Sequence, residues 1–193
     1  NDGNGISSGH VRIYKNINNN WVKIGSDIDG EAAYDQSGSS VSLSADGSIV
    51  AIGARGNDGN GSESGHVRIY KNVNNNWIKV GSDIDGEAAG DLSGASVSLS
   101  ADGTIVAIGA SGNDGNGNAS GHVRIYKNVN NNWIKVGSDI DGETAGDLSG
   151  ASVSLSADGT IVAIGAYSND EKGYMTGHVR IFKNVNNNWT QIG

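Results

Sequence analysis

Apolar residues in this chain come in short runs with period two, and nowhere at the 3.6-residue spacing of a helix. Val97-Ser-Leu99 alternates, and so does His66-Val-Arg-Ile-Tyr70. Thr104 to Ala110 is an apolar run broken only by Gly109, as expected of a strand covered on both sides. Asp102-Gly103 lies between Val97–Leu99 and Thr104–Ala110 and predicts a tight hairpin, because Gly readily takes positive φ. Trp77-Ile-Lys-Val80 follows Asn72-Val-Asn-Asn-Asn76, which predicts a longer hairpin loop. Four strands per unit follow, with Val97–Ser100 and Thr104–Ile108 inner and Trp77–Val80 outermost. The chain should hold about 14 strands and no helix.

The same unit recurs without drift. Gly-His-Val-Arg begins at Gly9, Gly65, Gly121 and Gly177, and Trp stands at 21, 77, 133 and 189, a period of 56 residues. Residues 57–112 and 113–168 differ at five positions. Residues 1–56 and 57–112 differ at ten, several of them Val for Ile, the exchange a packed strand tolerates. Four antiparallel strands per repeat predict an all-β fold, a β-propeller of four-stranded antiparallel blades. A β-solenoid or a row of small sandwiches is the competing arrangement. The division is a partial blade at 1–25 and repeats at 26–81, 82–137 and 138–193. About 3.5 repeats cannot close a ring alone, so contact is expected with another chain or with remaining blades of a longer parent.

The segment Ser93-Gly-Ala-Ser-Val-Ser-Leu-Ser-Ala-Asp-Gly-Thr-Ile-Val-Ala-Ile-Gly-Ala110, followed by Gly121-His-Val-Arg-Ile-Tyr126, resembles FG-GAP repeats, the blades of the integrin α-subunit propeller. Two departures stand out. The family's Phe-Gly is Ser-Gly here (Ser37-Gly38, Ser93-Gly94, Ser149-Gly150), and its Asp-rich calcium turn is only Ser-Ala-Asp-Gly around Asp46, Asp102 and Asp158. One carboxylate is too few for an ion that takes about six to eight oxygens, so that site is not carried over. What the resemblance implies is an extracellular or cell-surface propeller that adheres or binds a ligand.

Composition narrows the chemistry. No Cys means no disulfide, zinc ribbon, Fe–S cluster or thiol nucleophile. No apolar run reaches the ~20 residues of a membrane span, so membrane insertion is not expected. A formal charge of −8 argues against nucleic acid as partner. In a meander, the loops after the second and fourth strands share one face of the disc. Of the 21 carboxylates, all but Asp46, Asp102 and Asp158 belong to those loops. Loops at one end of a β scaffold are the usual place for binding, here of a glycan or protein ligand.

Asp-x-Asp-Gly-Glu-x-x-x-Asp is the sharpest constellation on that face: Asp27, Asp29, Glu31 and Asp35; Asp83, Asp85, Glu87 and Asp91; Asp139, Asp141, Glu143 and Asp147. Carboxylates on alternate residues before a Gly resemble the start of a calcium loop, so calcium is the candidate ion. The alternative is that they bond nearby backbone N–H groups in a long turn anchored by Ile28, Ile84 and Ile140. The four His share one context, which suits an interblade hydrogen-bond ladder better than four active sites. The periodic Trp suits packing on the outer strand, or a sugar-stacking platform. Arg55, Tyr167, Lys172 and Tyr174 break the repeat and mark where a blade-specific ligand would bind. The expected function is a non-enzymatic binding or adhesion module. A purely structural repeat of a surface protein or filament is the alternative, and a carbohydrate-active enzyme a remote one.

Overall fold

The computed structural model describes all 193 residues. Its strands are β1 (His10–Val11), β2 (Tyr14–Ile17), β3 (Asn20–Lys23), β4 (Ile28–Asp29), β5 (Ser40–Leu43), β6 (Ile49–Ala54), β7 (His66–Val73), β8 (Asn76–Lys79) and β9 (Ile84–Asp85). They continue as β10 (Ser93–Leu99), β11 (Ile105–Ala110), β12 (His122–Val129), β13 (Asn132–Lys135), β14 (Ile140–Asp141), β15 (Ser152–Leu155), β16 (Ile161–Ala166), β17 (His178–Val185) and β18 (Asn188–Gln191).

Three sheets are four-stranded antiparallel meanders: β5–β6–β7–β8, β10–β11–β12–β13 and β15–β16–β17–β18. The hairpin β2–β3 is the outer half of a further blade. The four-stranded meander of each sheet lies inside one 56-residue unit, all strands pair antiparallel and no helix forms, so the chain is all-β as its periodicity predicts.

Two local expectations need correcting. The Asn tract is not a long loop. Asn72 and Asn76 sit in strands, with Asn72 opposite Trp77 and Val73 opposite Asn76. Only Asn74 and Asn75 turn, at φ of 51° and 63°. Two left-handed residues in succession are what a two-residue hairpin needs, and Asn is the side chain that tolerates this best after Gly. The Asn72 Oδ1 accepts the Asn75 N–H at 3.1 Å and locks the turn. The count of strands is also higher than 14, because β4, β9 and β14 add short ladders within the interblade loops. In each, Ile and Asp pair back onto the third strand, as Val67 does with Ile84 and His66 with Asp85.

The core lies between blades. Val97 and Leu99 of β10 and Val106 and Ile108 of β11 meet Val67 and Ile69 of the preceding unit and Ile84, which pairs back onto that unit's third strand. The next interface repeats this with Val123, Ile125, Ile140, Val162 and Ile164. Both faces of a second strand are therefore buried, which is why Thr104–Ala110 is apolar at both parities. Small residues let the inner strands meet: a Cβ on Gly109 would run into the Gly150 carbonyl.

Candidate functional site

The predicted acidic loops exist, and the structure uses each carboxylate differently. Asp83 accepts Arg68 and Lys79 at 2.9 and 2.7 Å. Burial pushes its carboxyl up, but these two cations outweigh that and hold it below the ordinary range. Asp27 takes Arg12 and Lys23 in the same way, and Asp139 takes Lys135. Asp29, Asp85 and Asp141 end the short strands, and Asp85 and Asp141 offer their backbone carbonyls to Arg124 and Arg180 at 2.8 and 2.6 Å. Glu31, Glu87 and Glu143 reach Arg68, Arg124 and Arg180 of the blade that follows each loop.

Asp35, Asp91 and Asp147 are buried caps. Asp91 accepts the Glu87 and Ala88 N–H groups at 3.0 Å and the Asn113 side chain at 3.2 Å. Asp147 binds Thr144 N–H and Asn169, and these bonds outweigh burial to lower its pKa. The four carboxylates of one loop do not come together. The tightest donor groups instead combine different elements: Glu31, His66 and Asp83; Glu87, His122 and Asp139; Glu143, Glu171 and His178. In the first two, Arg68 and Arg124 supply the positive charge that a metal would bring.

The second acidic loop is turn chemistry. Asp58 Oδ1 accepts Glu63 N–H at 2.8 Å, and Asn60 donates to the Gly86 carbonyl at 2.8 Å. It thereby ties the two loops of one face together, as the meander requires. Asp102 likewise caps its hairpin, accepting Ser100 Oγ–H at 2.7 Å and Thr104 N–H at 2.9 Å. The matching bonds hold Asp46 and Asp158 down at about 2.

The interblade ladder is real, but His is not its donor. His122 is buried and its Nε2 has no hydrogen-bond partner. Trp and Ser carry the ladder instead. Trp77, Trp133 and Trp189 each donate the indole N–H, at 2.9 Å, to Ile24, Val80 and Val136 of the preceding unit. Ser40 and Ser96 donate to Gly94 and Gly150 at 2.7 Å. Sequence missed this use of Ser because a small polar residue on an inner strand carries no signal of its own; only its recurrence at period 56 could have flagged it.

A cleft repeats at the outer rim of two of the three interfaces. Ser82, Asp83, Ile84 and Asp85 of one loop face Tyr126, Trp133 and Ile134 of the next blade around about 350 Å³. The same residues one repeat earlier, Ser26 to Asp29 with Tyr70, Trp77 and Ile78, enclose about 390 Å³. Each cleft therefore has an aromatic wall opposite two carboxylates. Of the repeat-breaking residues, Arg55 bonds Gln36 at 3.0 Å in a separate polar cleft, while Tyr167 and Tyr174 stand out from the last blade.

Comparison with known proteins agrees with this architecture. No curated protein matches the chain. Among solved structures it is similar to two proteins named as 6-phosphogluconolactonases, from Bacteroides fragilis (13% identity, TM-score 0.54) and Bacteroides uniformis (15%, 0.53), and to Saccharomyces cerevisiae Sqt1 (12%, 0.52). The alignments cover 79%, 79% and 83% of this chain but 36%, 38% and 35% of those proteins. At such identities the likeness speaks for the propeller fold alone. Residues 27–70 match the family described as FG-GAP repeat. That unit recurs at 56-residue spacing in sheets of one topology, so the chain is built of repeats similar to FG-GAP, in a β-propeller-like arrangement.

Proposed function

We propose that the protein is a non-enzymatic extracellular binding module, two of whose blade interfaces each present one carbohydrate-sized cleft. The supporting observation is the recurrence of the rim cleft with the same residues, Asp83, Asp85, Tyr126 and Trp133 at one interface and Asp27, Asp29, Tyr70 and Trp77 at the other. An aromatic face stacks on the apolar face of a sugar ring, and carboxylates accept its hydroxyl protons. Identical modest sites in a row suit avidity, in which linked weak contacts bind a repetitive ligand strongly. Near-identical blades offer no singular polar cluster of the kind that one active site requires.

A glycan array probed with the intact chain, with and without calcium, tests this reading. Binding that Tyr126→Ala weakens supports it. No binding to any glycan refutes it and favours the second reading, a purely structural repeat. That second reading rests on a specific observation: nine of the twelve carboxylates in the Asp-x-Asp-Gly-Glu loops, all but Asp29, Asp85 and Asp141, already have an Arg, Lys or backbone N–H partner.

A further inference from the structure

In a chain this repetitive, every departure from the repeat stands out. Residues 1–56 and 57–112 differ at ten positions. Four of these exchanges keep size and character: Ile17 for Val73, Val22 for Ile78, Ile24 for Val80 and Ser48 for Thr104. The other six put Ile6, Ser7, Tyr34, Gln36, Ser39 and Arg55 in the first unit, and the fold gathers all six into one neighbourhood. The Tyr34 N–H donates to the Ile6 carbonyl, the Gln36 N–H to that of Ser7 and the Ser39 N–H to that of Gln36. Arg55 Nε donates to Gln36 Oε1 at 3.0 Å. Ser7, Gln36, Ser39 and Arg55 line one polar cleft. Unselected drift would scatter such changes over the surface; their convergence points to a shared task.

The changes also run in one chemical direction. Gln36 stands where the later units have Leu92 and Leu148, Ser39 where they have Ala95 and Ala151, Arg55 in place of Ser111, and Ser7 in place of the acidic Glu63. Donors and a cation replace apolar groups and an acid. Arg12, Arg68, Arg124 and Arg180 each meet an Asp or Glu, whereas exposed Arg55 bonds only the neutral Gln36. Its two terminal nitrogens and the Gln36 amide nitrogen remain free to donate. The Asp2 carboxylate at the same turn is engaged by the Ser7 N–H at 2.8 Å. Tyr34 holds φ of 70° where Gly90 and Gly146 hold 84° and 85°, and it is 61% exposed. A bulky side chain in the left-handed region is strained, and one so exposed gains little from the core in return.

We infer that this patch is a binding site for a sugar carboxylate, such as a uronic acid residue of a glycan, and that it is separate from the rim clefts. The Arg55 guanidinium offers two parallel N–H donors to the two carboxylate oxygens, the geometry in which these groups match. The Gln36 amide and the Ser7 hydroxyl donate to lone pairs that the Arg leaves open. Tyr34 supplies an aromatic face for the apolar side of the sugar ring. The chain's formal charge of −8 repels a polyanion, so one acidic sugar in an otherwise neutral glycan fits the site best.

The test is NMR titration of the intact, isotopically labelled chain with a disaccharide ending in glucuronate. The methyl ester of that uronate serves as a neutral isostere and sodium sulfate as a bare anion. The expected result is a saturable shift of the Arg55 and Gln36 side-chain signals, with the ester and sulfate binding about tenfold more weakly or worse. Arg55→Ser and Gln36→Leu install the residues that the following unit carries at the same places, so the melting temperature should hold. Arg55→Ser, followed at Gln36, should weaken binding by about tenfold, and Gln36→Leu, followed at Arg55, by about threefold. Tyr126→Ala, in a rim cleft, should leave these shifts intact, so failure here and failure of the rim clefts are told apart. Three outcomes overturn the inference: no saturable shift at Arg55 and Gln36; binding that Arg55→Ser leaves intact; or an ester or sulfate that binds as well as the uronate, which would remove the carboxylate or the sugar from the recognition.

Discussion

Trp133 and Trp21 occupy the same place in the repeat, yet only one has a blade in front of it. Trp133 donates to the Val80 carbonyl at 2.9 Å and its ring lies over Gly81, whose φ of 77° and missing Cβ make room for the indole. Trp21 is 70% exposed. Replacing Trp133 by Ala removes one hydrogen bond with a net worth of about 1 kcal/mol and strands the carbonyl. It also removes a half-buried aromatic ring, about half of the 3–5 kcal/mol that a fully buried one is worth. The expected loss is about 3 kcal/mol. Trp133→Phe keeps most of the ring contact and should cost about 1 kcal/mol. Trp21→Ala should fall within about 0.5 kcal/mol, as at an ordinary surface position. Urea unfolding followed by far-ultraviolet circular dichroism measures all three without relying on the indoles. Equal losses for Trp21→Ala and Trp133→Ala would refute the assignment of this residue to the blade interface.

Other consequences can be measured on the same protein. Arg124→Met should cost about 1–2 kcal/mol by urea unfolding, since it orphans the Asp85 carbonyl while Glu87, half-exposed, recovers water. Acidification should destabilise the fold in two stages. His66 and His122 have pKa values lowered by burial and then by Arg68 and Arg124, against the opposing pull of Glu31, Asp83 and Asp85 and of Glu87, Asp91 and Asp139. The unfolded chain therefore binds more protons below the ordinary His value of about 6.5, and stability falls as pH drops through that window. His66→Gln combined with His122→Gln should flatten the melting temperature between pH 7.5 and 5.5. A second loss should appear as pH falls from about 4 towards 2, where the depressed carboxyls of Asp46 and Asp158 protonate and release their turns. With most acidic-loop carboxylates engaged by cations and backbone, chelation should leave the melting temperature unchanged; a rise with added calcium would reverse that reading.

Strands were legible wherever side chains alternate or run apolar, because burial on one or both faces leaves that mark on composition. Thr104–Ala110 is such a case, and its placement between two blades follows from its pattern. Ile84-Asp85 was not legible as a strand, because two residues are too few to show a period. The Asn tract was misjudged in length because Asn favours left-handed turns and also sits in strand ends such as Asn72 and Asn76. Clustering of carboxylates along the chain suggested one site per loop, but adjacent residues in an extended loop point in different directions. Asp83, Glu87 and Asp91 accordingly meet three different partners: a Lys–Arg pair, the Arg of the following blade, and backbone N–H groups. That sorting depends on which strand stands across the interface, which local sequence does not state.

The constancy of the 56-residue repeat also bears on how the chain finds its order. Units at 57–112 and 113–168 differ at five positions, and none of the bonds made by Trp133, Ser96 or Ala101 involves a residue unique to one unit. An inner hairpin from one unit can therefore satisfy the outer hairpin of another almost as well as its own. Blade order is then enforced by tether length, through the high effective concentration of the adjacent segment, and not by side-chain recognition. Such a chain folds quickly when neighbours meet first, but in concentrated solution it is prone to exchange hairpins between molecules, the failure expected of near-identical repeats.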